Sequence, residues 1–350
     1  MAETRMGSCV CCQKLTVKRC SGCLGAPAYD GCVPTDTFYC SGECQEDDWG
    51  QHKVMCKKLQ ARKLLGRAAL LLKATMHQIR LHASVEQFQS VRIEGSTIRL
   101  DGVSREGYTN GRYLAPFTKH LNLNQNIFEA VLMWLSCDEA MEYLYSFTKK
   151  LLIGLCSKIE ELSVTLISPR LQICHSGSSI VEAPCLFHNL YRVTLKNEEV
   201  WAVDCTGAQY GYTDPLCPWD YFKQHRLDEI VTVYPFGSFV FNALKPAAQP
   251  KSLDRSLRSK VQKEQMELAK ALNHIIPVLA QEHGGKLNAI LKGSDVVFET
   301  AKDRFSGQLG DYTRAFVSRM NAPEHIARKI KEIRLSIQIF SSQSQADSKQ

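Results

Sequence analysis

Within its first 56 residues the chain sets out cysteines in pairs and closes the series with a histidine: Cys9-x2-Cys12, Cys20-x2-Cys23, Cys40-x3-Cys44 and His52-x3-Cys56. Nine of the fifteen cysteines fall in this stretch, Cys11 and Cys32 lying outside the pairs. Two thiolates separated by a tight turn can take neighbouring corners of a tetrahedral Zn2+ site at about 2.3 Å each, so every pair is half a site. Eight ligands suffice for two ions. The stretch is poor in large apolar residues and cannot bury enough surface to fold unaided, so the metal must supply folding free energy.

Cysteine-dense small modules also form disulfide frameworks in oxidising compartments. Against that, Met1-Ala2-Glu3-Thr4-Arg5 leads into no apolar run of the kind a secretory leader has, and a histidine stands at ligand spacing. Two zinc ions and a reducing compartment, cytoplasm and/or nucleus, are therefore expected.

The order of the pairs, with Tyr39-Cys40-Ser41-x2-Cys44-Gln45 and then Trp49-x2-His52-x3-Cys56, resembles the MYND-type zinc finger over residues 9–56. The resemblance implies an interleaved arrangement in which Cys9, Cys12, Cys40 and Cys44 hold one zinc and Cys20, Cys23, His52 and Cys56 the other. It also implies docking of short proline-containing peptides from partner proteins in a groove near Gln45 and Trp49. Trp49 packing between the metal sites is the competing role. The connection from Cys23 to Cys40 is longer than the family's usual one, which leaves Cys32 either a stand-in ligand or a free thiol on a longer loop. Cys11 could replace Cys12 only by shifting the turn.

Net charge is +7, but the first 56 residues carry five Lys or Arg against seven Asp or Glu, and bound thiolates outweigh the two dications. Nucleic acid is a poor partner for such a finger, because phosphate binding depends on clustered Lys and Arg. No run of about eighteen apolar residues occurs, which argues against a membrane span.

Beyond the finger the pattern predicts an α+β chain: a cross-braced two-zinc finger (1–56), a basic amphipathic helix (57–87), a mixed helix and antiparallel-sheet domain (88–245), a helical C-terminal region (251–338) and a disordered tail (341–350). The finger's last ligands lie on a helix expected to run straight on. Lys57, Lys58, Arg62, Lys63, Arg67, Lys73 and Arg80 would form its solvated basic face, and Leu65, Ala69, Leu72, Met76 and Ile79 its apolar one. Strands are expected at 88–100 around a turn at 94–96. Asn124 or Asn126 suits the cap of a helical region reaching about residue 161, with a break near Ser136 and Cys137. Residues 163–167, 171–174, 186–195, 200–204 and 225–242 read as strands, with loop between 206 and 219. A linker at 246–250 precedes helices at 252–283 and 285–337, parted by Gly284-Gly285.

The hairpin of residues 186–211 weakly resembles the histidine and aspartate hairpin of transglutaminase-like and papain-like folds, with His188 and Asp204 as the pair and Cys137 as nucleophile. In that fold the nucleophile opens a helix, whose positive end favours the thiolate. Trp134-Leu135 before Cys137 and Ala140-Met141 after it both look helical, which embeds the cysteine in mid-helix. The expectation is accordingly a zinc-binding interaction or scaffold protein rather than an enzyme, with a cysteine-dependent acyl-transfer or hydrolytic site at Cys137, His188 and Asp204 as the alternative. Lysine methyltransferase activity of the SET type is excluded by the lack of its Asn-His-Ser-Cys and Gly-Glu-Glu-Leu types of motif.

Overall fold

The computed structural model describes residues 6–29, 31, 36–102, 109–117, 123–175, 187–243, 250, 252–282 and 287–347. Cys32, Cys185, Gly284, Gly285 and nearly all of the 246–250 linker lie outside them. The described residues are α+β, with the finger at one end and a run of long helices at the other.

The finger contributes a two-residue ladder, β1 (Gly7–Ser8) with β2 (Leu15–Thr16), and then helix α1 (Gly42–His82). Ser41 caps this helix by accepting the backbone N–H of Cys44. Its 41 residues run without interruption from the zinc ligands into the body. Leu65, Leu72, Met76 and Ile79 on one stripe enter the main core with Val193 and Trp201 of a sheet and Phe305 and Leu309 of a later helix.

The cations of α1 form no solvated face. Arg62 is buried and grips Glu199 through two nitrogens at 2.6–3.0 Å. Arg67 donates to the carbonyls of Leu291 and Gly293 and to Asp295, Lys73 reaches Glu129, and fully buried Arg80 pairs with Glu139. The sequence shows cations without nearby acids, but the acids come from segments more than fifty residues away, which no local pattern reveals.

After α1 come β3 (Ser90–Glu94) and β4 (Thr97–Asp101), joined at Gly95 in the left-handed region, and then α2 (Gln125–Leu132), capped by Asn124 accepting from Ile127 N–H. The helical region then breaks as α3 (Cys137–Tyr143) and α4 (Tyr145–Leu152), and does not reach residue 161. β5 (Cys156–Leu166) occupies that span, followed by β6 (Gln172–His175), β7 (His188–Leu195), β8 (Val200–Val203) and β9 (Leu216–Pro218). The loop expected between 206 and 219 thus holds a 3-10 turn (Gly207–Tyr210) and strand β9, and a helix, α5 (Trp219–His225), follows it. β10 (Leu227–Pro235) ends sooner than expected, and α6 (Ser238–Ala243) takes up the rest.

Five strands make one antiparallel sheet in the order β10-β5-β7-β8-β9, while β3, β4 and β6 form a second sheet in which β4 and β6 run parallel. One side of the large sheet meets α1. On the other, Leu162, Val164, Leu190 and Ala202 pack under Trp219 and Phe222 of α5.

The C-terminal helices are α7 (Leu253–Glu282), α8 (Asp295–Met320) and α9 (Pro323–Asp347), so the single helix expected after residue 285 is two, parted at Asn321 and Ala322. The expected disordered tail is helical as far as Asp347. Its Ser- and Gln-rich composition suppressed a helical period that the geometry nonetheless follows. Among the described residues no helix is long and apolar enough to cross a membrane.

Candidate functional site: a zinc-braced finger and a Cys-His-Asp cluster

The finger's ligand atoms gather in two groups of four, Cys9, Cys12, Cys40 and Cys44 in one and Cys20, Cys23, His52 and Cys56 in the other, each with all atoms within 4.8 Å of one another. Four thiolates around a tetrahedral zinc with bonds of about 2.3 Å have sulfurs about 3.8 Å apart. Observed separations are 3.4 Å for Cys12 to Cys40, 3.6 Å for Cys40 to Cys44 and 3.7 Å for Cys20 to Cys56, with 3.6 Å from Cys23 Sγ to His52 Nε2. The residues fit two zinc ions, and the pairs alternate along the chain between the sites. Cys11 is exposed, outside both groups, and its thiol points to the Cys44 carbonyl.

Gln45 and Trp49 lie on the outer turns of α1. Gln45 Nε2 is 3.8 Å from Cys20 Sγ, and the half-exposed Trp49 ring has its centroid 6.3 Å from that of His52. Tyr39 donates to Asp48 at 2.6 Å and packs its ring edge on His52, which steadies the second ligand group.

The finger is locked onto the body. Tyr29, beyond Cys23, stacks at 5.0 Å on Trp201 of β8, accepts the Val200 backbone N–H and lies under the Arg62 guanidinium.

In the body, His188 opens β7 and Asp204 follows β8. His188 is fully buried, and its Nε2 meets Asp204 Oδ2 at 2.8 Å. Burial opposes charge on the imidazole, but Asp204 and then Cys137 outweigh it and lift His188 to about 10. Burial likewise opposes charge on Asp204, and the imidazole nonetheless holds its carboxyl below the ordinary range, helped by the Thr206 N–H at 3.0 Å. Nδ1 of His188 is buried without a hydrogen bond of good geometry. Cys137 is near enough to raise the same ring, whose Nε2 is taken by Asp204.

Cys137 does not sit in mid-helix. Leu135 adopts a left-handed backbone, φ 56°, and its N–H is held by Gln209 Oε1, so α2 stops and Cys137 becomes the first residue of α3. Gln209, in the 3-10 turn Gly207–Tyr210 that follows β8 more than seventy positions on, thus holds the break. The thiol is half-buried, near the carbonyl of Phe187, and Tyr210 packs edge-on against His188 with ring centroids 4.9 Å apart. Gly207 leaves room for the acid: a Cβ there would fall 2.5 Å from Asp204 Oδ2.

Asn189 was not singled out by the sequence. Strand alternation turns it away from His188, yet its amide lies 3.8 Å from Cys137 Sγ. Only the register of β7 on β5 and the placement of α3 bring them together.

A family model described as ZMYND11/ZMYD8, MYND zinc finger matches residues 20–56, which include the whole second ligand group together with Cys40 and Cys44. No curated protein and no solved structure matches the chain. The N-terminal module is a MYND-type zinc finger carrying two four-ligand sites.

Proposed function

We propose that the finger is a docking module for proline-containing peptide segments of partner proteins in the cytoplasm or nucleus. The carrying observation is Trp49, held half in water on a zinc-anchored helix beside the acidic Glu46, Asp47 and Asp48. An exposed indole suits the flat face of an extended proline segment, which loses little entropy on binding. Gln45, with its nitrogen toward Cys20, keeps its carbonyl oxygen for a ligand N–H. The test is titration of a proline-containing peptide followed by isothermal titration calorimetry. Trp49→Ala should abolish binding while two zinc ions stay bound. Equal binding by the variant refutes the docking role.

A second reading is favoured by the position of His188 between Asp204 and Cys137: a cysteine-dependent acyl-transfer or hydrolytic centre in the body. Asp204 fixes the ring and stabilises its charge, and Nδ1 carries the mobile proton. The Cys137 thiolate pair forms the S–C bond to an amide carbonyl as the π pair moves to oxygen. Collapse breaks the C–N bond, and the departing amine takes the Nδ1 proton. Water then attacks the thioester, gives its proton to Nδ1 and forms the acid as the C–S bond breaks, which restores thiolate and imidazolium. Acylation of Cys137 by p-nitrophenyl acetate, detected by peptide mass, should vanish in Cys137→Ser and drop about a hundredfold in His188→Gln. An unchanged rate in His188→Gln eliminates this reading.

A further inference from the structure

Asn189 has an amide whose two ends are assigned by its neighbours. Its Oδ1 accepts the Ser163 hydroxyl at 2.5 Å, and its Nδ2 donates to the carboxylate of Asp138, the residue after Cys137. A carboxylate can only accept, so the nitrogen must face Asp138. That leaves a second N–H on the same nitrogen, and Cys137 Sγ lies 3.8 Å away from it.

The amide is 5 % exposed, on a strand paired at Ser163 with β5, so it is held rigidly and away from bulk water. A donor fixed in this way needs no reorganisation when charge appears beside it. An acyl carbon attached to Sγ carries its oxygen within the space between sulfur and amide, and an oxyanion donor acts from about 2.7–3.1 Å. A sulfur-to-nitrogen gap of 3.8 Å accommodates an oxygen at that distance from Nδ2.

Resting on the Cys137, His188 and Asp204 reading, we propose that Asn189 is a catalytic residue whose second Nδ2–H, directed at Cys137 Sγ in the resting protein, stabilises the oxyanion formed when Cys137 is acylated. Asp138 and Ser163 are positioning residues that hold the amide in place. During attack the carbonyl π electrons move onto oxygen, which accepts the Asn189 N–H. On collapse they return as the leaving group departs, and Asn189 neither gains nor loses a proton.

Two reactions of the same thiol separate this role from simple support. Acylation by p-nitrophenyl acetate builds an oxyanion. Alkylation by iodoacetamide displaces iodide directly and builds none. Asn189→Ala should slow acylation about a hundredfold and leave alkylation of Cys137 within about twofold. Asp138→Asn, which keeps the Asn189 amide, should lose less than Asn189→Ala in acylation. Both rates are read on one sample whose far-ultraviolet circular dichroism matches that of the parent protein, so unfolding does not mimic either outcome. A parallel fall in both rates, or no fall in either, overturns the assignment while leaving the triad standing. If His188→Gln also leaves acylation unchanged, the triad itself fails and Asn189 with it.

Discussion

The Tyr29 ring of the finger rests on Trp201 of β8, centroids 5.0 Å apart, and Asp204 lies three residues farther along the same segment. The loop that begins at Cys23 is thereby a wall of the core that also holds the His188 partner. Pro27 packs beside it against Gly66 of α1.

Zinc removal should therefore be felt outside the finger. Metal analysis is expected to give two zinc ions per chain, with Cys44→Ser losing one. Chelation should alter the near-ultraviolet circular dichroism of the core tryptophans as well as unfolding residues 6–56. Tyr29→Ala should destabilise the metal-loaded protein by about 2 kcal/mol in urea denaturation, through lost ring contact, cation–π attraction and the Val200 hydrogen bond.

Glu199 answers Arg62 and, at 3.2 Å, Lys58. Taking away one partner of a buried pair leaves the other charge uncompensated. Glu199→Ala is expected to cost about 3 kcal/mol, whereas Lys58→Ala, whose side chain is 40% exposed, should cost under about 1 kcal/mol. Denaturant midpoints of the two variants check this.

Gly207→Ala places a methyl group where Asp204 Oδ2 now sits. The carboxylate must swing off His188, so acylation of Cys137 should fall about as far as in Asp204→Asn while global stability drops by only about 1–3 kcal/mol. A crystal structure or the His188 proton resonance of the variant would report the displacement.

The His188 and Asp204 pair sets a pH window. His188 is raised in the folded chain, so its contribution to stability is complete below the ordinary imidazole value near 6.5 and is lost as pH climbs through about 10. Asp204 is lowered, so its share is present above the usual carboxylate value and vanishes as acid takes it through its folded value. The groups around the ring are Asp204, Cys137, the neighbouring Asp138 carboxylate and the Tyr210 ring. His188→Gln should flatten the alkaline limb of the stability profile between about pH 7 and 10.

The zinc ligands were fully legible in the sequence because spacing alone defines half-sites, and so was the turn at Gly95, while the cap was narrowed to Asn124 or Asn126, of which the structure uses Asn124. The break before Cys137 was legible only as a weak place between two helical patterns. What makes it is a hydrogen bond from Leu135 to Gln209, a contact across the fold. The same is true of the α1 cations, whose acids arrive from Glu129, Glu139, Glu199 and Asp295. Composition misled at the C-terminus, where polar residues continue a helix to Asp347.

One unbroken helix of 41 residues carries His52 and Cys56 at its start and reaches the middle of the core at Met76. At a rise of 1.5 Å per residue it is a rod about 60 Å long with no swivel along its length. Under the proposed docking and acylation roles, a peptide held at the near end would keep one bearing relative to Cys137. The captured chain would then have to supply the slack that brings a scissile bond to that sulfur, so the spacing between its anchoring proline and its reactive group would act as a ruler.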